Sequence, residues 1–331
     1  MTTSFTPAPF DGRRFHNLSG RPPQRPGDVL RWLARRHPEP WPRDVPARLG
    51  ERPAPNVDDG SVRATLVGHS TVLLQTAGLN LLTDPVWSQR IGPVPLFGIR
   101  RVCAPALALS ELPRIDAVLL SHNHYDHLDR PTLAALARRH QPTVFAGLRV
   151  GSTVPHSRVI ELDWWQSHTL TQGVRVTYVP AEHASARGLF DRNRTLWGGF
   201  VLETPAATVY FAGDTADGEH FAAIRERFGP MTLSLLPIAA YAPRSIMQCV
   251  HMDPGEAVRA SLRLESQVSL AIHHSTFALA DDGFAEGPRE LARALAEAHE
   301  GGPGMDFRVV PFGEPLDVRR RALPGERAAH S

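Results

Sequence analysis

One loop, residues 121–128, constrains this chain more than any other segment. It contains three histidines and one aspartate in the pattern H-x-H-x-D-H, namely His122, His124, Asp126 and His127. The largely apolar residues 115–120 before it predict a buried strand, and a helical pattern begins at Pro131. A loop anchored by a strand can hold such side chains together, and burying four of them without a metal would be costly. The pattern therefore predicts a hydrolase site with two Zn2+ ions.

Three further candidate ligands stand at predicted strand ends. His183 follows an apolar strand pattern, Asp214 closes a hairpin, and His273 ends a third strand pattern. A two-metal site needs about six protein ligands, and the loop supplies four of them. Each of the three residues also has a structural alternative, since an isolated histidine is commonly a hydrogen-bonded residue and an aspartate after glycine a turn residue. Spacing alone does not assign these ligands to particular ions.

A short internal similarity indicates that the chain has two related halves. Residues 71–76 and 80–84 form one apolar hairpin pattern that ends at Asp84. Residues 199–204 and 210–214 form a second one that ends at Asp214. The similarity predicts two halves, each a sheet with its own helices. The alternative is a chance likeness between two buried hairpins.

Other hydrophobic patterns complete a mixed α/β prediction with two sheets and outer helices. Strands are predicted at 143–147, 159–162, 174–179, 232–237, 268–272 and 308–311. Helices are predicted at 131–140, 217–228, 254–264 and 287–299. The third helix has a strong start signal, with Asp253 as N-cap, Pro254 next and Glu256 at the third helical position.

We divide the chain into three segments. Residues 1–60 are a Pro- and Arg-rich arm, partly disordered or packed on the core, with a short helical pattern at 28–36. Residues 61–315 form the hydrolase domain, and residues 316–331 a flexible tail. Within the domain, residues 85–109 are a long apolar connection rich in Pro and Gly, which is typical of a lid or a binding loop.

Composition narrows the cellular setting. The 331-residue chain has a net charge of +2, which gives no reason to expect nucleic-acid binding. Its two cysteines, Cys103 and Cys249, do not make a disulfide framework and indicate a reducing compartment. We see no secretory signal and no apolar stretch of about 18 residues or more. We therefore expect a cytoplasmic protein whose contact with a membrane would be peripheral.

Several motifs across residues 65–285 resemble the N-acylphosphatidylethanolamine-hydrolysing phospholipase D family, a branch of the metallo-β-lactamase superfamily. The metal loop and the Gly-Asp at 213–214 resemble the superfamily as a whole. The branch-specific motifs are Gly68-His-Ser-Thr-Val72, Leu82-Thr-Asp-Pro85, Glu161-Leu-Asp-Trp-Trp165, Leu196-Trp-Gly198, His251-Met-Asp-Pro254 and Thr276-Phe-Ala-Leu-Ala280.

The resemblance implies a fold, a set of metal ligands and an oligomeric state. The fold is a four-layered αβ/βα sandwich of two facing sheets with the metal site along their shared edge. One zinc ion is implied to bind His122, His124 and His183. The other is implied to bind Asp126, His127 and His273, with Asp214 bridging the two. Asp84 is implied to orient a ligand, and its alternative is a turn carboxylate before Pro85. Homodimer formation is likewise expected from the resemblance alone.

The substrate side of the site is predicted less directly. We take Asp126, Asp214 and His251 as catalytic, with His251 assisting the leaving alkoxide or contacting the phosphate. Tyr125 and Gln89 are candidate substrate contacts, whereas structural roles are the alternatives for Tyr125 and His251. Ala239 and His274 replace a glycine and a tryptophan of the family pattern. These departures leave the ligands intact and change the acyl and headgroup pocket.

The leading hypothesis is a zinc-dependent phosphodiesterase of phospholipase D type. It would cleave N-acylphosphatidylethanolamine-like phospholipids to phosphatidic acid and N-acylethanolamine, by attack of a hydroxide that bridges the zinc ions. One alternative keeps the fold and changes the substrate to a lactone, ester, thioester or cyclic nucleotide. A second alternative is a metal-binding protein without turnover.

Overall fold

The computed structural model describes residues 6–20, 26–46, 48–94, 97–299 and 305–321. The strands in the described residues are β1 (Ser61–Gly68), β2 (Thr71–Thr76), β3 (Leu79–Thr83), β4 (Arg90–Ile91), β5 (Ile99–Arg100), β6 (Ala117–Leu120), β7 (Thr143–Gly147), β8 (Arg158–Leu162), β9 (Ser167–Thr171), β10 (Val174–Val179), β11 (Gly199–Glu203), β12 (Thr208–Phe211), β13 (Leu233–Pro237), β14 (Val268–Ile272), β15 (Phe307–Arg308) and β16 (Pro315–Arg319). The helices are α1 (Pro26–Ala34), α2 (Arg130–Arg139), α3 (His220–Phe228), α4 (Arg244–Met247), α5 (Pro254–Arg263) and α6 (Glu286–His299).

Two large sheets have matching topologies. The first has the order β16-β1-β2-β3-β6-β7-β8, and the second has the order β15-β14-β13-β12-β11-β10-β9. From β1 to β8 the successive pairings are antiparallel, antiparallel and then three times parallel. From β10 to β15 the pairings follow the same sequence. The predicted internal repeat is therefore confirmed, and each of its hairpins opens one half.

The central strands of each sheet are buried on both faces because they lie between the other sheet and a layer of helices. In β2, Val72 and Leu74 belong to the largest core cluster, which includes Tyr178 and Phe200 of the second sheet. The intervening Leu73 points the other way, into a cluster with helix α2. This alternation follows from the two-residue period of a strand. The resulting helix–sheet–sheet–helix order confirms the predicted αβ/βα sandwich.

Some element boundaries differ from the prediction. The tail predicted from 316 is wrong as far as 319, because β16 pairs antiparallel with β1 at the sheet edge. Residues 322–331 lie outside the described residues. The strand predicted at 308–311 is Phe307–Arg308, and α3 begins at His220 rather than at 217. Strand β9 and the one-turn helix α4 were not predicted, because short polar segments carry little periodicity.

The start of α5 follows the predicted capping chemistry. The Asp253 carboxylate accepts from the Glu256 amide at 2.8 Å, and the Glu256 carboxylate accepts from the Asp253 amide at 2.9 Å. This reciprocal pair satisfies two backbone donors that the helix itself leaves unpaired. Just before this cap, the Met252 amide donates to the Thr215 carbonyl at 3.0 Å, so the helix start lies beside the segment that carries Asp214.

The connection at 85–109 is tied down at its base. Asp129, just after the metal loop, accepts from the Ser88 amide at 3.0 Å and from the Ser88 hydroxyl at 2.8 Å. Towards the other end of the 85–109 connection, the Arg101 guanidinium donates to the Val86 carbonyl at 2.7 Å and to the Ser88 carbonyl at 3.1 Å. Strands β4 and β5 pair between these contacts. The connection is therefore held next to the metal loop.

None of the described helices combines the length and the apolar character that a membrane span requires.

Candidate metal centre

The H-x-H-x-D-H loop joins the end of β6 to the start of α2. The Leu128 amide donates to the His124 carbonyl at 2.8 Å, and the His127 amide donates to the same oxygen at 3.2 Å. This tight turn brings the four side chains of the loop to one side. All four are buried or nearly so, at the edge where both sheets end. A local turn therefore converts the sequence spacing into a cluster.

One group of three histidines lies on one side of Asp214. His122 Nε2 is 2.8 Å from His124 Nδ1, and His183 Nε2 is 3.3 Å from the same atom. Asp214 Oδ2 is 4.0 Å from His122 Nε2 and 3.8 Å from His183 Nε2. The three nitrogen atoms therefore converge at distances compatible with one shared ion.

A second group lies on the other side of Asp214. Asp214 Oδ2 is 3.0 Å from His127 Nε2 and 3.2 Å from His273 Nε2. The same two nitrogens are 3.2 Å and 3.5 Å from Asp126 Oδ2. All seven residues predicted as ligands thus meet in one cluster, with the Asp214 carboxylate between the two groups. The division matches the one implied by the resemblance, and the assignment to individual ions stays a prediction.

Unpaired polar atoms provide a test of whether this cluster suits metal ions. His127 Nε2, His273 Nε2 and Asp214 Oδ1 are buried and have no hydrogen-bond partner among the described residues. A buried polar atom without a partner costs roughly 1–3 kcal/mol, so such atoms are rare unless they have a ligand. Imidazole and carboxylate are also the donors that zinc accepts in hydrolases. The residues present therefore fit a pair of zinc ions.

Hydrogen bonds on the far side of each ring leave the correct nitrogen free. His183 Nδ1 donates to the Val250 carbonyl at 2.8 Å, so its Nε2 carries the lone pair. His127 Nδ1 lies 2.6 Å from Asp84 Oδ2, which likewise leaves Nε2 free. His122 Nδ1 is 2.9 Å from the Ser121 hydroxyl, which itself donates to Asp84 Oδ2 at 2.5 Å. Asp84 is fully buried and therefore orients one ring directly and a second through Ser121.

Proton affinities in the cluster differ between its two groups. Burial lowers the pKa of His124 to about 4 and the pKa of His183 to about 3, so both rings are neutral at pH 7, as metal ligation requires. Burial also disfavours the charged ring of His273, but Asp214 and Asp126 outweigh it and raise that pKa to about 9. A cation is thus needed beside the two carboxylates, and a metal ion can replace the proton.

His69 belongs to the cluster, although the sequence analysis assigned it no role. It lies in the turn between β1 and β2, with Nε2 3.1 Å from Asp126 Oδ2. Its carbonyl accepts from the His273 amide at 2.9 Å, and Phe277 packs edge-on against its ring at 5.1 Å. The available signal was the Gly-His-Ser-Thr motif after a strand, which was quoted only for its resemblance. His69 therefore helps to hold the Asp126 carboxylate, which belongs to the second group.

Tyr125 and Arg187 join the metal loop to the loop after His183. The Tyr125 hydroxyl donates to the Arg187 carbonyl at 2.6 Å, and the Arg187 guanidinium lies over the Tyr125 ring at 4.0 Å. Arg187 also donates to the Asn123 and Leu128 carbonyls, both at 2.8 Å. The Tyr125 hydroxyl hydrogen is thus already used within the protein, and its contact with substrate stays a prediction.

The remaining candidates differ in their distance from the cluster. His251 Nδ1 lies 4.0 Å from Asp214 Oδ2 and has no hydrogen-bond partner in the part of the chain that the structure describes. The His251 carbonyl accepts from Arg244 at 2.9 Å. Gln89 is exposed on the 85–109 connection, where its backbone carbonyl accepts from the Arg101 amide at 2.9 Å. The structure therefore brings His251 to the site and leaves the Gln89 side chain at the surface.

The neighbour of His273 is also buried. His274 Nδ1 is 3.0 Å from the Ser275 hydroxyl, and the ring packs 5.5 Å from Phe312. Its Nε2 has no hydrogen-bond partner among the described residues. Histidine at this position is therefore part of the packing behind the metal ligand.

Comparisons with known proteins agree with this geometry. Residues 79–274 match the β-lactamase superfamily domain. An uncharacterized protein of Mycobacterium tuberculosis is 39% identical over 257 residues, which are 74% of this chain and 68% of that protein. N-acyl-phosphatidylethanolamine-hydrolyzing phospholipase D 1 of Caenorhabditis elegans is 32% identical over 265 residues, 76% of this chain and 74% of that protein.

A solved structure extends the comparison to the fold. Igni18, a metallo hydrolase of Ignicoccus hospitalis, superposes with a TM-score of 0.58 at 23% identity, over 78% of this chain and 98% of that one. At this identity the likeness concerns the fold alone. Taken with the family match and the clustered histidines and aspartates, it leads to one conclusion. The chain belongs to the metallo-β-lactamase superfamily and is a metal-dependent hydrolase.

Proposed function

We propose that the protein is a binuclear zinc phosphodiesterase of phospholipase D type. It would cleave N-acylphosphatidylethanolamine-like phospholipids to phosphatidic acid and N-acylethanolamine. The observation that carries the proposal is the placement of Asp214 between two ligand groups, in a chain 32% identical to a nematode enzyme named for this reaction. Zinc ions bound there would supply Lewis acidity and an activated water.

His251 has the position and the protonation state of a substrate contact. Burial lowers its pKa to about 3, so the ring is neutral at pH 7. A neutral ring can donate one N–H to a phosphoryl oxygen, but it is a poor source of a proton for a leaving alkoxide. Of the two roles predicted for His251, the structure therefore favours contact with the phosphate.

The surroundings of the metal loop suit an anionic substrate. A cavity of about 290 Å³ lies beside the loop and is lined by Arg90, Tyr125, Arg130 and Arg187, among others. Arginine provides planar donors that match the oxygen atoms of a phosphate. The guanidinium groups of Arg90 and Arg130 are the exposed ones of this set. We propose that they attract the phosphodiester.

Two apolar loop tips support a lipid substrate. Phe97 is 87% exposed on the 85–109 connection, and Leu189 and Phe190 are 92% and 80% exposed on the loop after His183. Other residues of the same two loops, Arg90 to Pro93 and Arg187, line the cavity beside the metal loop. Large exposed apolar side chains on a soluble surface commonly mark a contact site. We propose a peripheral membrane contact here, whereas self-association stays a prediction from the family.

The test compares the wild-type protein with Asp214→Asn. Both are loaded with zinc and incubated with N-acylphosphatidylethanolamine in detergent micelles, and products are measured by mass spectrometry. We expect the variant to lose zinc and to lose activity by more than about 100-fold, since even a residue that only supports a ligand costs about 10–100-fold. Asp217→Asn is the matched control, because this carboxylate lies three residues away and pairs with Arg263 at 2.6 Å.

Two results would contradict the proposal. Full activity of Asp214→Asn would refute the bridging role of this carboxylate. No lipid product from wild-type protein that carries two zinc ions would refute the substrate class. Lactones, thioesters and cyclic nucleotides would then be assayed with the same preparation.

A further inference from the structure

The N-terminal arm contacts the backbone of the segment that carries the candidate ligand His183. Phe15 of the arm is buried in the main core cluster, and its amide donates to the Asn193 carbonyl at 2.8 Å. Earlier in the arm, the Ala8 amide donates to the Asp163 carboxylate at 3.1 Å. The described residues 6–20 thus follow a defined path along the second half of the molecule. This path ends at the segment that carries His183.

Asn17 makes a reciprocal pair of hydrogen bonds with the backbone of His183. Its Nδ2 donates to the His183 carbonyl at 3.0 Å, and its Oδ1 accepts from the His183 amide at 3.1 Å. Oδ1 also accepts from the Trp197 indole at 3.0 Å. A side chain can form this pair only with a donor and an acceptor on the same carbon, as in a carboxamide, which here replaces the backbone partner that a neighbouring strand would provide.

A second contact extends the support to Asp214. The Ser19 amide donates to Glu182 Oε1 at 3.1 Å, and the Ser19 hydroxyl donates to Glu182 Oε2. Glu182 is buried, and its carbonyl accepts from the Ala216 amide at 2.8 Å. Because Ala216 lies two residues after Asp214, the arm is joined through Glu182 to both segments that supply these ligands.

The effect of these contacts depends on how far a ligand atom can move before it no longer binds the metal ion. Val250 orients the His183 ring through Nδ1, but it does not hold the His183 backbone. Ligand distances in zinc sites vary by only about 0.2 Å, so a shift of the backbone would move Nε2 out of reach. Among the three histidines of its group, His183 is the one that comes from outside the metal loop. His183 is therefore the ligand of that group whose backbone position depends on contacts outside the metal loop.

We infer that the N-terminal arm is a positioning element for the metal centre, acting through Asn17 on His183. The arm fixes the backbone of this ligand, while the metal loop supplies its two companions, His122 and His124. The inference rests on the proposed pair of zinc ions and is independent of the proposed lipid substrate. Its test therefore measures metal binding and uses no substrate.

The experiment titrates zinc into the metal-free full-length chain in competition with a chromophoric chelator. Wild-type protein is compared with Asn17→Ala and with the control Leu18→Ala, whose side chain is 42% exposed on the same arm. We expect Asn17→Ala to bind one of the two zinc ions about 10–100-fold more weakly and the other unchanged. Leu18→Ala should bind both ions like the wild type.

Folding is followed by urea unfolding of the metal-free proteins. If Asn17→Ala does not fold, Ser19→Ala is the milder variant, since it keeps the Asn17 contacts and removes one hydrogen bond to Glu182. It should weaken the same ion by a few-fold and the other ion less, because Glu182 directly precedes His183, whereas its contact with Ala216 lies two residues beyond Asp214. A merely structural arm would lower the stability of the metal-free protein and weaken both ions equally.

Equal weakening of both ions would therefore overturn the inference, and so would unchanged affinity for both. A wild-type protein that does not take up two zinc ions would overturn both this inference and the proposed metal centre. Lack of lipid hydrolysis by a wild-type protein that does carry two ions would count against the substrate alone. The failures of the two proposals are thus distinguishable.

Discussion

Asp84→Asn should weaken the binding of both metal ions while leaving the fold largely intact. Asp84 accepts three hydrogen bonds, from the Ser121 amide at 2.7 Å, the Ser121 hydroxyl at 2.5 Å and His127 Nδ1 at 2.6 Å. The Ser121 amide cannot reverse its polarity, so the Asn carbonyl oxygen must take that contact. The Asn amide group then faces the Ser121 hydroxyl and His127.

This reversal moves protons onto the metal-binding nitrogens. His127 Nδ1 must accept from the new amide, which places the ring proton on Nε2. The Ser121 hydroxyl must likewise accept from the amide, so it donates its own hydrogen to His122 Nδ1. The ring proton of His122 then lies on Nε2 as well. A protonated Nε2 cannot bind a metal until it loses its proton. The substitution thus acts on one histidine of each ligand group.

The expected loss is about 10–100-fold in affinity for each ion, or about 1.4–2.7 kcal/mol. The assay is the zinc competition titration, with urea unfolding of the metal-free protein as the check on folding. Asp116→Asn is the matched control, since this carboxylate accepts from the Asn80 amide at 3.0 Å at the opposite end of β6. Wild-type zinc affinity in Asp84→Asn would refute the tautomer argument.

A companion variant separates the two ligand groups. Ser121→Ala keeps the contact between Asp84 and His127 but removes the hydroxyl that orients His122. We expect it to weaken only the ion bound by the three histidines, again by about 10–100-fold. Equal weakening of both ions would show that Ser121 acts through general packing.

Three further outcomes are expected. Arg187→Lys should lower the free energy of unfolding by about 1–3 kcal/mol in urea titrations, because a lysine cannot donate to the Asn123 and Leu128 carbonyls in the same planar geometry. Burial lowers the pKa of His220 to about 3, so the unfolded chain, with its ordinary value near 6.5, binds a proton that the folded chain does not. The contribution of this residue to the free energy of unfolding is present above pH 6.5 and is lost as the pH falls towards 3. In urea unfolding between pH 6.5 and 4, His220→Gln should reduce this loss by up to about 1.4 kcal/mol per pH unit. Replacing Phe97 and Phe190 together by serine should weaken sedimentation with anionic phospholipid vesicles by at least about 10-fold, since each phenylalanine contributes about 1.5–3 kcal/mol when buried. Unchanged sedimentation, or the same loss in a variant of the exposed Val309, would contradict the membrane contact.

Several structural features followed directly from local sequence signals. The hairpins at 71–84 and 199–214 were predicted because short apolar runs and a closing turn depend only on near neighbours. The cap of α5 was predicted for the same reason, since Asp253 and Glu256 are three residues apart. The edge strand at 315–319 was not predicted, because its pattern is short and its partner β1 is distant in sequence.

The site shows the same division between local and distant information. The metal loop was recognised because four candidate ligands stand within six positions and the turn at His124 is local. His69 was missed because its contact with Asp126 spans 57 positions and leaves no spacing to detect. Tyr125 was predicted as a substrate contact with a structural role as the alternative, and its hydroxyl donates to the Arg187 carbonyl, 62 positions away, so that the contact with substrate stays a prediction. Which polar atoms pair depends on ångström-scale geometry that periodicity does not encode.

By itself, the sequence determined the two-sheet class, the duplicated halves and the types of metal ligand, since each depends on residue chemistry and short spacing. The tertiary structure alone decided that Asp84 orients two histidines, that His69 holds Asp126, and that Asn17 supports His183 across 166 positions. These contacts form only when segments distant in sequence pack together, at the edge of the first sheet for Asp84 and His69 and against the N-terminal arm for His183. The physical reason is that a buried polar atom takes whichever partner packing brings within about 3 Å, wherever that partner lies in the chain.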